Sequence, residues 1–341
     1  MNYYLVIGNG VSIDLIKFLK KDDSIDLSNL FNNGERVRWP VGNHIGFLSY
    51  KYCPALWRLG ARPTSNVDEA HKIINDIITC ANVYASLSVK NRPKMANDIE
   101  SIYLKSYNEL VSYLRFLFVH YNTSVDDKML DDVCNWQWAK IIKKMYDDKN
   151  VNKINIITYN YDVWIERVLD KLKLEYNVFM GEKGDSKIEI YKPHGSISFI
   201  HDTVMSLDAF ELKNSFEHTD AEINKFKVVY EDLICNPAVI PLIPPAGQSS
   251  RYQNSWAASI RNGIVEECQK STNSDVLIFG GLSYWHVDRE EIDEIILNIN
   301  NKLNMFLVNP NPPKEFFAVL TTIFKNAVHL TSDQDSLGGI I

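Results

Sequence analysis

Short apolar runs punctuate this chain, and each stops at a polar or glycine-rich cluster. Residues 3–7 lead into Gly8-Asn9-Gly10-Val11-Ser12, and residues 154–158 end in Thr158-Tyr159-Asn160-Tyr161-Asp162. A run over 187–191 leads to Lys192-Pro193-His194-Gly195, and one over 275–279 to Gly280-Gly281-Leu282-Ser283. The last such run, 305–308, ends at Asn309-Pro310-Asn311-Pro312. Between the runs apolar residues recur at helix spacing. Tyr161, Trp164, Ile165, Val168, Leu169 and Leu172 give the i, i+3, i+4, i+7 pattern of one buried helix face. Further helices are expected over 256–268, from Asp288 and Glu291 in capping-box spacing, and over 315–324.

Residues 21–64 carry no clear periodicity, and 65–148 read as helical in three segments. Their faces are marked by Ile73, Ile74, Ile77, Ile78 and Ala81, then by Ile99, Ile102, Tyr103, Leu110, Leu114 and Leu117. Leu130, Val133, Trp136, Ile141 and Met145 mark the third. Residues 176–179 suggest a further short strand, 201–235 a helical or irregular excursion, and 238–243 an apolar run cut off by Pro244-Pro245-Ala246-Gly247. Strands alternating with helices predict an α/β fold, a Rossmann-like, doubly wound and mainly parallel sheet. Residues 1–20 and 150–341 would form that domain, and 21–149 a helical insert subdomain.

Composition narrows this only a little. The chain has 341 residues with 45% apolar and 23% charged positions, an ordinary globular balance. A net charge of −7 argues against a surface that grips nucleic acid, so no direct sequence-specific nucleic-acid binding is expected. No stretch approaches the roughly 18–20 apolar residues of a membrane helix, and the first residues lack a signal peptide's basic start. A cytoplasmic protein that does not enter a membrane is the expectation. The five cysteines are scattered and form no Cys-x-x-Cys pair, so neither a disulfide framework nor a zinc site is suggested.

The strand-end clusters hold the chemistry. Gly8 and Gly10 permit a tight turn and close backbone approach before a helix start, which suits a phosphate. Ile13 stands where a dinucleotide fingerprint would have its third glycine. Asn160 and Asp162 fall where a strand's carboxyl end meets a helix's amino end, the ligand crevice of open α/β sheets. Either could instead serve only as a helix cap. His194 taken alone is more often a hydrogen-bonded core residue than a catalyst.

Taken in order, Gly8-x-Gly10-x-Ser12, Thr158-x-Asn160-x-Asp162, His194-Gly195, Gly281-x-Ser283 and the strand-end Asn309 resemble the sirtuin pattern over roughly residues 1–20 and 150–310. The resemblance implies NAD+ as substrate. It gives Gly8, Asn9, Gly10 and Ser12 to the pyrophosphate side, and Asn160 to the nicotinamide ribose and its attacking nucleophile. Asp162 would face the nicotinamide carboxamide, Thr158 would be a further cofactor-binding residue, His194 would be the general base, and Gly281, Ser283 and Asn309 would line the adenosine half. The paired zinc cysteines of the deacylating members are missing here, as is their Gly-Ile-Pro-Asp-Phe-Arg continuation. That combination is closer to the zinc-free, NAD+-hydrolysing sirtuin-like modules of antiphage defence systems, in which water is the acceptor and no metal is needed. Hydrolysis to nicotinamide and ADP-ribose, or cyclisation, is the expected chemistry. A non-catalytic NAD or ADP-ribose sensor and a zinc-free deacylase are the alternatives. A hydride-transfer dehydrogenase fits worst. Control by homo-oligomerisation or by a partner defence protein, a helicase-type ATPase among the candidates, follows from the toxicity of unchecked NAD+ loss.

Overall fold

The computed structural model describes residues 1–86, 102–212, 220–244, 256–283 and 289–331. Ile99, Asp288 and the loop residues Pro245, Ala246 and Gly247 lie outside them. In chain order the elements begin with β1 (Asn2–Ile7), α1 (Asn9–Phe18), α2 (Pro54–Arg58), α3 (Val67–Ser86), α4 (Ile102–Ser124) and α5 (Gln137–Asp147). Then come β2 (Lys153–Thr158), α6 (Trp164–Lys171), β3 (Tyr176–Val178), β4 (Ile188–Tyr191), β5 (Phe199–His201), β6 (Val204–Met205), β7 (Phe226–Val228) and β8 (Asn236–Pro237). The remainder is α7 (Trp256–Gln269), β9 (Val276–Gly280), α8 (Arg289–Asn298), β10 (Asn304–Val308), α9 (Lys314–Ile323) and β11 (Asn326–Leu330).

The chain divides into two compact units. The first comprises Met1–Lys21, Val125–Pro193 and Ala258–Ile341, and the second Asp22–Ser124 and His194–Ala257. The helical unit therefore differs from the 21–149 insert read from sequence. Residues 125–149, including α5, go with the sheet, and 194–257 go with the helices. The physical reason lies in side chains. Trp136 and Trp138 bind the sheet unit at Asp14 and Gly280, whereas carbonyls of Ile197 and Leu233 serve a helical-unit side chain, Arg115.

The first unit is built on a seven-stranded sheet in the order β11-β10-β9-β1-β2-β4-β3, with every neighbouring pair parallel. It is an α/β, Rossmann-like, doubly wound fold, as the alternation predicts. β1, β2, β4 and β9 read as near-continuous apolar runs because both faces are covered. The chain moves outward from β1 in both directions, through β2 on one side and β9 on the other. β11, the edge strand beyond β10, is an addition to the expected set. Its sequence, Asn326-Ala327-Val328-His329-Leu330, is half exposed and gives only a weak signal. The register fixes the site: Ile7 lies opposite both Thr158 and Gly280, and Gly280 opposite Val308. The polar clusters that follow those residues thus emerge level with one another.

The second unit centres on α4, which is buried on nearly every side from Leu104 to Tyr121. A helix without a polar face must lie inside its unit. Aromatic rings gather beside it, with Phe116 5.5 Å from Phe47 and 5.2 Å from Phe210. The Glu109 carboxylate accepts from Ala55 N at 3.0 Å and Leu56 N at 2.7 Å, satisfying the start of α2. The 201–235 excursion is irregular, with the short pairs β5–β7 and β6–β8. The apolar run 238–243 adds only a bridge from Leu242 to Gly195.

Candidate functional site

The glycine turn after β1 is held by backbone contact with the turn after β9. Gly8 N donates to Gly280 O at 2.9 Å, and Gly10 N to Gly281 O at 2.9 Å. A Cβ on Gly10 would come within 2.6 Å of Gly281 Cα. Gly281 itself has φ +60 and would press a Cβ to 2.5 Å from Val11 N. The glycines are needed here because two backbones touch. Val11 N is spent as well, on Gly8 O at 3.0 Å. The amides of Gly8, Gly10 and Val11 therefore face protein carbonyls. The first turn of α1 has no acidic residue of its own and no side-chain cap from Gly8. Asn9 is exposed at its tip.

Across the β1–β2 boundary a chain of side-chain hydrogen bonds fixes Asn160. Its Nδ2 donates to Gly8 O at 3.1 Å and to Ser12 Oγ at 2.9 Å. The Ser12 hydroxyl in turn donates to Asp162 Oδ2 at 2.7 Å. Asp162 Oδ1 accepts from Trp164 N at 3.1 Å, so Asp162 also caps α6. Thr158 Oγ1 accepts from Asn160 N at 3.2 Å. Ser12 has one proton to give, and Asp162 takes it, so only the amide side of Asn160 satisfies Ser12. The Asn160 carbonyl oxygen is then turned away from Ser12 and meets no donor among the described residues.

Beneath this network lies a buried ion cluster that sequence reasoning missed. Lys192 Nζ donates to Asp162 O at 2.5 Å and to Glu166 Oε1 at 2.6 Å, and both Lys192 and Glu166 are fully buried. Burial raises the pKa values of Asp162 and Glu166 above the ordinary carboxylate range, with Lys192 working against the shift in both. One lysine faces two buried carboxylates, so the pair holds a proton more tightly than either would in water. Glu166 Oε2 and the Trp164 indole N–H are buried without partners among the described residues. The available signal was a charged residue inside an apolar pattern: Glu166 within the α6 face, and Lys192 right after β4.

Ser12, Thr158, Asn160 and Asp162 line one small cleft with Trp136 and Trp164. Trp136 Nε1 donates to Asp14 Oδ2 at 2.7 Å, which gives Asp14 a positioning role. At the neighbouring strand ends Gly281 N donates to Val308 O at 3.2 Å, and Asn309 Nδ2 donates to Leu282 O at 3.0 Å. His329 Nε2 lies 2.9 Å from Asn309 O, and Ser283 is exposed. The structure thus groups Gly8, Gly10, Ser12, Thr158, Asn160 and Asp162, with Gly281 against the glycine turn.

His194 is the first residue of the second unit and is 2% exposed. Ile243 N donates to its carbonyl at 3.0 Å. Gly195 follows at φ +84, where a Cβ would overlap Pro241 O at 1.8 Å, so glycine is obligatory there. Among the described residues no group of three or more His, Cys, Asp or Glu side chains could hold a metal, and no helix is long and apolar enough to cross a membrane. All five cysteines are free thiols. No protein-family model matches the chain, and no curated protein matches it.

Proposed function

We propose that this chain is an NAD+ glycohydrolase, cleaving the nicotinamide–ribose bond to nicotinamide and ADP-ribose or a cyclised relative. The observation that carries the reading is Asn160, locked by Gly8 and Ser12 at the carboxyl edge of a parallel sheet with its carbonyl oxygen left as an open acceptor. Scission of an N-glycosidic bond to a pyridinium needs no acid, because the leaving group departs neutral with the bonding pair. Positive charge builds on the ribose instead. A fixed amide oxygen stabilises that charge and orients the attacking hydroxyl, and preorganisation is what makes it effective. Water adds to the anomeric carbon and loses its proton to a base, the role the sirtuin resemblance gives His194. Thr158 and Asp162 would accompany the carboxamide. Asn9, Ser283 and the start of α1 would serve the phosphates, since the Gly8 and Gly10 amides are spent.

Incubation of the purified protein with NAD+ should release nicotinamide. Asn160→Ala and His194→Ala should each lower the rate by roughly 10²–10³-fold. Undiminished turnover in both would sink the assignment. A second reading is a sensor that binds NAD+ or ADP-ribose without turning it over. Tight binding without product under all conditions would select it. As a hydrolase the chain would be a cytoplasmic effector that depletes NAD+ on phage infection. It would be held in check by self-assembly or by a partner defence protein, for which a helicase-type ATPase is one candidate. Nicotinamide release by a lone monomer, weighed by light scattering, would contradict that control.

A further inference from the structure

Residues 34–62 of the second unit run against the charge of the chain. They hold five lysines and arginines and one acid, Glu35, whereas the whole chain carries −7. Arg36 and Arg38 are exposed on either side of Val37, which is fully buried. Val37 O accepts from Gly46 N at 3.0 Å and from Phe47 N at 2.9 Å, and Trp39 N donates to His44 O at 2.7 Å. The loop that carries the two arginines is thus braced by its own backbone. Both guanidinium charges reach one imidazole on α4. Burial first, then Arg36 and Arg38, hold the His120 pKa below the ordinary histidine range. Arg36, Arg38 and Lys51 form no ion pair with a carboxylate among the described residues, unlike Lys143 and Lys171 on the sheet unit.

Aromatic rings adjoin these charges. Trp39 stacks on Tyr52 at 4.3 Å and 11°, and Lys51 Nζ lies 4.7 Å from the centre of the Tyr52 ring. Phe47 at 5.0 Å and Phe210 at 4.9 Å also pack on Trp39, so the rings are held in place. Tyr50, next in the chain to Lys51, is 58% exposed. Unpaired arginines suit phosphates, and an exposed ring beside them suits a polyanion that also offers flat apolar faces. An acidic peptide offers the charge without those faces. The segment also lacks the long amphipathic helix of a membrane-surface anchor, since α2 spans only Pro54–Arg58.

We propose that this surface binds single-stranded nucleic acid without regard to sequence, with phosphates on Arg36, Arg38 and Lys51 and a base stacked on Tyr50. Such a contact reads charge and base faces rather than base edges, in keeping with the expectation that no sequence is recognised.

The test titrates the full chain against a fluorescent oligothymidylate of about 20 nucleotides, read by anisotropy, with a duplex of equal length, phosphatidylserine vesicles and polyglutamate as competitors. Affinity for the single strand should fall with salt at a log–log slope of about −2, for three phosphates. The double variant Arg36→Gln, Arg38→Gln should bind about ten- to a hundredfold more weakly and flatten the slope to about −0.7. Tyr50→Ala should weaken binding by roughly five- to a hundredfold and leave the slope unchanged. Its side chain is exposed, so it carries the test should the double variant fail to fold. Lys302→Gln with Lys325→Gln removes as much charge from the sheet unit and should bind as the wild type does. The proposal is overturned by no salt-dependent binding of the single strand, by undiminished binding in the double variant or in Tyr50→Ala, or by tighter binding of the duplex, the vesicles or polyglutamate.

Discussion

Ser12 is the residue on which the site turns, because one hydroxyl both satisfies buried Asp162 and receives the Asn160 amide. Ser12→Ala should cost about 1–3 kcal/mol, the penalty for leaving a buried acceptor short of a donor, seen as a lower urea midpoint. If the site is read correctly, NAD+ turnover should also fall, since Asn160 is free to rotate. A variant as stable and as active as wild type would remove Ser12 from the network. The Glu166–Lys192–Asp162 cluster gives a prediction with a definite sign. Both carboxylates have folded pKa values raised above their ordinary 3.8 and 4.5, so the folded state holds their protons more tightly. Their contribution to stability is fully present below the ordinary values and is lost as pH rises through the folded ones. Glu166→Gln keeps an acceptor for Lys192 and cannot titrate. Melting curves from about pH 4.5 to neutrality should fall with rising pH less steeply in Glu166→Gln than in the wild type. Equal slopes would mean that Glu166 titrates normally.

At the scale of elements, the strand ends explain how much of the site was legible. Periodicity marked β1, β2, β4, β9 and β10 because a parallel sheet covered on both faces demands continuous apolar runs. The clusters after them then fall on one edge by register alone. Hidden were contacts made by residues far apart in sequence. Nothing in Gly8-Asn9-Gly10 says that its amides are taken by Gly280 and Gly281, and nothing in Lys192 says that it lies against Glu166. β11 escaped because an exposed edge strand has no pattern to enforce. The glycine contact is testable by contrast. Gly281→Ala meets backbone at 2.5 Å with φ +60, whereas Gly46→Ala, at φ +93, meets nothing within 4 Å. The first should lose roughly 2–5 kcal/mol from strain and overpacking together, and the second only about 1–2 kcal/mol from strain. Equal urea midpoints for the two variants would mean that the β1 and β9 turns give way easily.

For the whole molecule, the chain passes between its two units at residues 21–22, 124–125, 193–194 and 257–258, so the second unit is assembled from two separate segments. Sequence pattern suggested a self-contained insert because helical periodicity in 65–148 is strong and that of 194–257 is weak. Packing says otherwise. Phe210 meets Phe116, and the carbonyls of Ile197 and Leu233 take the Arg115 guanidinium, so 194–257 supplies both apolar cover and charge compensation for α4. Among the described residues the short strands of 194–257 pair with one another, two or three residues at a time. Pairs that small are marginal in water without something to pack against. Replacing 22–124 by a flexible linker should therefore leave 194–257 unfolded and its apolar residues exposed. The product should aggregate on size exclusion and show heavy proteolysis within 194–257. A monomeric, protease-resistant product would show that 194–257 folds without α4, and would restore residues 21–149 as an independent insert.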